Sequence, residues 1–103
     1  RGLRRGQYPV EGSLDLHGLT AMRAAELMRE YLTEARRAGV RCVRLVHGKG
    51  LGSGNRGPVL KTLVNTWLRE QPWVLAFASA PRDAGDTGAT LVLLSRRQDD
   101  ETP

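Results

Sequence analysis

Two short segments of this chain place titratable side chains where they could do acid–base work on a bound anion. The first is LDLHGLT at residues 14–20. Side chains two apart on a strand share a face, so Asp15 and His17 stand side by side, roughly 7 Å apart along the strand. Gly18 lets the chain turn at once and leaves His17 at the strand's carboxyl end, where α/β sheets bind ligands. An aspartate there can hold an imidazole in one tautomer and stabilise its protonated form, as a general acid or base requires. The bland alternative is that both side chains only hydrogen-bond a nearby turn.

The second segment is HGKG at residues 47–50, the start of a run over 47–58 that holds five of the twelve glycines. A loop of this kind ahead of a helix can aim consecutive backbone N–H groups at an anion, with the helix terminus adding positive potential. The two familiar phosphate-loop spacings are absent: there is no GxxxxGK[ST], and Gly48, Gly50, Gly52, Gly54 and Gly57 do not fit GxGxxG. An ordinary surface loop is the alternative, weakened by Lys49, Arg56 and Lys61 in or just after it. If the two segments leave neighbouring parallel strands, Asp15, His17, His47 and the loop converge on one sheet edge. Both histidines would then lie at strand ends, off any packed stripe, so that removing either costs little stability.

The elements that must position these residues alternate. The pattern predicts strands over 10–17, 40–46, 73–80 and 89–95, with helices after the first and second. Leu14 and Leu16 point one way from the first strand, with Ser13, Asp15 and His17 the other. Thr20 is a good N-cap for a helix whose apolar stripe is Ala24, Ala25, Met28, Tyr31, Leu32 and Ala35, and Gly39 is its expected left-handed stop. Pro58 fits the first turn of the second helix, whose buried face is Val59, Leu60, Leu63, Val64, Trp67 and Leu68. The order is βαβαββ. Its last strand is apolar on both faces and belongs inside the sheet. The class is α/β, a two-layer sandwich with a mixed four-stranded sheet and both helices on one face. Residues 1–9 read as a basic arm, 10–96 as the domain and 97–103 as a tail.

Composition narrows the function. At 103 residues the chain is one domain. Charged residues at 26% and hydrophobics at 40% suit neither a disordered chain nor a membrane span, and no apolar run approaches ~20 residues. Sixteen basic residues face eleven acids, three of them in the tail (Asp99, Asp100, Glu101), so sixteen face eight once those three acids are set aside. Such a body attracts polyanions, nucleic acid first. One cysteine, Cys42, makes no internal disulfide, and a cytoplasmic protein is expected. The chain opens on Arg1, as a piece of a longer protein would. Trp67 sits on an apolar stripe and reads as core, which leaves Trp73 and Tyr8 as candidates for base stacking.

LDLHGLT, then HGKG, then GDTGATLVLL at residues 85–94 together resemble the Smr domain, named for small MutS-related proteins, over about residues 8–96. The likeness is strongest to stand-alone proteobacterial members, where an RRG segment precedes the first strand and an APR turn the last. The resemblance implies a sheet of order 1-2-4-3, like the C-terminal domain of translation initiation factor three. It also implies nucleic-acid binding and endonuclease activity, on DNA or RNA, in some members on messenger RNA at stalled ribosomes. By its motifs Asp15, His17 and His47 would be catalytic, while Gly48, Gly50, Arg82 and the turn over 85–90 would lie at the same site. Asp86 departs from the glycine many relatives carry, and adds a negative charge there.

On both lines of reading the expectation is a monomeric endonuclease domain, RNA favoured over DNA, with the ribosome as a partner and no membrane. Lys49, Gly48, Gly50, Arg56, Lys61, Arg82, Arg4 and Arg5 would hold the nucleic acid. A histidine base could activate the 2′-hydroxyl of RNA without a metal, so no cofactor is expected. For DNA a divalent cation such as magnesium would activate water instead. The rival is a non-catalytic nucleic-acid or ribosome-binding module on the same basic face.

Overall fold

The computed structural model describes residues 8–48, 56–81 and 88–96, with the side chain of Arg56 aside. The elements run β1 (Gly12–Asp15), α1 (Ala21–Arg37), β2 (Cys42–Val46), α2 (Arg56–Arg69), β3 (Val74–Ser79) and β4 (Ala89–Leu94). They form one sheet of order β1-β2-β4-β3, so the apolar last strand does lie inside it. β1 and β2 are parallel, Asp15 opposite Val46; β4 runs antiparallel to both β2 and β3. The carboxyl ends of β1 and β2 and the start of β4 therefore share one edge of the sheet.

Both helices pack on one face. Ala24, Met28, Leu32 and Ala35 of α1 and Leu60, Val64 and Leu68 of α2 are buried against Leu16, Val43, Leu45, Val92 and Leu94. Each of the larger side chains contributes about 1.5–3 kcal/mol by leaving water. Trp67 and Trp73 meet edge to face beside this core, ring centroids 5.8 Å apart, and both are half-buried. The other sheet face carries Cys42, Ala89, Leu91 and Leu93, also buried.

The ends of α1 follow from its sequence. Thr20 Oγ1 accepts the Arg23 N–H at 3.2 Å, and Arg36 and Arg37 complement the negative end of the helix. At the far end Gly39 donates to Arg36 O and Val40 to Ala35 O, with Gly39 at φ 85°. These are the paired bonds of a glycine-terminated helix.

Two expectations change. The strand proper is Gly12–Asp15, shorter than residues 10–17: its pairing ends with Glu11 N–H on Cys42 O and Leu16 N–H on Val46 O, and the chain turns after Leu16. Val59 is 58% exposed rather than on the buried face of α2, since that face is set by Leu60, Val64 and Leu68. Residues 1–7 and 97–103, read as the arm and tail, lie outside the described residues.

Candidate functional site

Alternation along β1 decides where the first motif points. Leu14 and Leu16 turn into the helix-covered core, so Ser13, Asp15 and His17 stand on the opposite face. Asp15 closes the strand. Its Oδ1 accepts the backbone N–H of His17 at 3.0 Å, an aspartate turn, and also meets the His17 ring at Nδ1, 2.6 Å away. A carboxylate only accepts, so the ring proton sits on Nδ1 and Nε2 is left as the base. Nε2 has no hydrogen-bond partner among the described residues, and the side chain is 69% exposed. Leu19 N–H closes a turn onto Leu16 O at 3.2 Å, with Gly18 at φ 78° where such a turn needs a positive φ. Burial opposes ionisation of Asp15, but the His17 ring and backbone N–H and the charges of His17 and Arg44 outweigh it. Its pKa falls below the ordinary carboxylate value.

The second motif is built differently. Val43, Leu45 and His47 share the helix-side face of their chain, and the His47 ring is fully buried. Its Nδ1 donates to Gly48 O at 3.0 Å, so Nε2 accepts from the Thr90 hydroxyl, also at 3.0 Å. The N–H groups of His47 and Gly48 both reach Gly88 O, at 3.0 and 2.9 Å, with Gly48 at φ 91°. Desolvation lowers the His47 pKa; the bond to Gly48 opposes this and the charge of Lys61 adds to it. His47 is thus a neutral clamp between the start of its loop and the start of β4. The expectation that both histidines lie off any packed stripe and cost little to remove does not hold for His47, which is buried.

The edge therefore gathers the DLH segment, His47–Gly48, and Gly88 and Thr90. Lys61 lies on α2 near enough to act on His47. Arg56 begins α2, while Lys49, Gly50, Arg82, Arg4 and Arg5 lie outside the described residues. Thr90 ends the 85–90 turn that the resemblance puts at this site; its bond to His47 is what the sequence alone does not show. Asp15 and His17 are both metal-capable, but no third His, Cys, Asp or Glu is grouped with them among the described residues. No described helix is long and apolar enough to cross a membrane.

Comparison with known proteins gives this arrangement its relatives. The chain is 41% identical over 93 residues to the ribosome rescue factor SmrB of Pectobacterium carotovorum, covering 90% of this chain and 48% of that protein. It spans about half the length of the curated relatives it matches. The crystal structure of YdaL, a stand-alone small MutS-related protein from Escherichia coli, superposes with a TM-score of 0.82 at 29% identity, over 92% of this chain and 72% of that one. The crystal structure of the Smr domain of Thermus thermophilus MutS2 gives 0.71 at 37% identity, over 81% of this chain and 96% of that one. Residues 14–95, from the strand that carries Asp15 to the end of β4, match the Smr domain, and this chain belongs to that family.

Proposed function

We propose that this domain binds RNA along the shared sheet edge and cleaves its phosphodiester backbone. One observation carries the reading: Asp15 fixes the Nδ1 proton of an exposed His17, so the free ring nitrogen is basic and faces outward. His17 Nε2 takes the proton of a 2′-hydroxyl, the 2′-oxygen attacks the adjacent phosphorus, and the P–O5′ bond breaks. The departing oxygen takes its proton from solvent, leaving a cyclic phosphate and a 5′-hydroxyl. His47 does not exchange protons with the substrate; it positions the Gly48 turn through its bonds to Gly48 and Thr90.

Charge supports the substrate class, since Lys61, Arg56, Lys49, Arg82, Arg4 and Arg5 would supply contacts to phosphates, with Gly50 in the same loop; the Gly48 N–H is already bonded to Gly88 O and shapes the turn instead. The relatives named ribosome rescue factor support messenger RNA at the ribosome, in the cytoplasm, as the setting. On DNA, which has no 2′-hydroxyl, a divalent cation would have to supply the nucleophile, and Asp15 and His17 are the residues that could hold it. The test is cleavage of labelled RNA by the chain and by His17→Ala, with binding measured in parallel. Cleavage lost and binding kept supports the proposal; binding without cleavage by the unaltered chain points to a binding module.

A further inference from the structure

The four strands carry only two charged side chains, Asp15 on β1 and Arg44 on β2. Both stand on the sheet face away from the helices, on adjacent parallel strands. Arg44 is directly opposite Ser13 in the register, one face-position before Asp15, and its Nε donates to Ser13 Oγ at 3.1 Å. Its charge is one of those that lower the Asp15 pKa. Ser13, Asp15 and His17 follow at two-residue spacing, so a polar row leads from Arg44 to the free nitrogen of His17. On the helix side of the same edge, by contrast, His47 is sealed among its own hydrogen bonds.

We infer that Arg44 receives a phosphate of the RNA strand next to the one attacked, so that the strand leaves the site along β1, past the exposed Ser13. The inference rests on the proposed nuclease reading and adds the direction in which the substrate lies. A guanidinium suits this role because its planar fork matches phosphate oxygens and its charge does not titrate. Ser13 holds the fork on the row beside Asp15. Arg44 is a positioning residue, since the proton transfer itself belongs to His17.

The experiment is a salt series of single-stranded RNA binding by fluorescence anisotropy, with the unaltered chain, Arg44→Gln, Arg44→Lys, Ser13→Ala and Arg41→Gln. Arg41 is the control, because it precedes β2 and bonds Leu94 O at the end of the sheet opposite His17. Losing one phosphate contact should make the slope of log affinity against log salt shallower by about 0.7 for a single strand. Arg44→Gln should show this and bind roughly 10- to 100-fold more weakly, as loss of one charge-assisted contact implies. Arg44→Lys should keep the slope with weaker binding, Ser13→Ala should weaken binding at unchanged slope, and Arg41→Gln should match the unaltered chain. Should Arg44→Gln fail to fold, the Arg44→Lys and Ser13→Ala arms carry the test. Equal affinity and slope in the folded Arg44 and Ser13 variants and the unaltered chain would overturn the inference alone. If the unaltered chain binds no RNA, both the inference and the functional reading fall.

Discussion

A single carboxylate oxygen, Asp15 Oδ1, accepts both the backbone N–H and the ring Nδ1 of His17, at 3.0 and 2.6 Å. The first bond ends β1 and sets the turn; the second chooses the tautomer. One residue thus links local backbone geometry to the chemistry of the exposed imidazole. Because both bonds are local, they need little from the rest of the fold beyond the alternation that turns Asp15 away from the core.

Asp15→Asn tests the tautomer. An amide can donate to Nδ1 and leave the proton on Nε2, removing the base. RNA cleavage should fall by about 10²- to 10⁴-fold, the usual contribution of a positioned acid or base. The melting temperature should move little, as both side chains are exposed. A cleavage rate within threefold of the unaltered chain would contradict the assignment.

His47 should behave oppositely. His47→Ala leaves a cavity and strands the Thr90 hydroxyl, costing roughly 2–4 kcal/mol in urea unfolding. Thr90→Val leaves Nε2 unpaired and should cost about 1–3 kcal/mol by the same measure. A variant as stable as the unaltered chain would mean that the buried clamp is not formed in solution.

Acid stability should separate the two motifs. The folded state holds the His47 pKa below its ordinary value, so protonation favours unfolding. The stability His47 contributes is complete above about pH 6.5 and declines as pH falls below it. Asp15, also shifted down, contributes above about pH 4 and loses its part only below that. Chemical denaturation at pH 7, 6 and 5 should show a decline in the unaltered chain that is smaller in His47→Gln. Parallel curves for the two proteins would remove His47 as the cause.

Much of this was legible in the sequence, for specific reasons. The period-two pattern of Leu14 and Leu16 against Asp15 and His17 fixed which side the first motif faces. The unbroken LVLL run placed β4 inside the sheet, and Thr20 and Gly39 marked the ends of α1 by their own chemistry. The burial of His47 is hard to read because its neighbours hide the alternation: Cys42 and Val43 are both apolar and both buried, on opposite faces. The usable signal was Val43, Leu45 and His47 at spacing two, which puts the ring on the helix side. Val59 departs from the pattern because a first-turn residue can sit on an apolar stripe and still be exposed. The clamp from Gly88 and Thr90 to His47 spans more than forty residues of chain, and no local pattern announces it.

The most direct test of the central claim is the chemistry of the cleaved ends. The chain is incubated in EDTA with a labelled RNA and with the same RNA carrying a single 2′-deoxy residue at the cleavage site. The expected products are a 2′,3′-cyclic phosphate and a 5′-hydroxyl from the first, with no cut at that position in the second. Cleavage that persists at the 2′-deoxy position, or that stops in EDTA and leaves a 5′-phosphate, would contradict that claim.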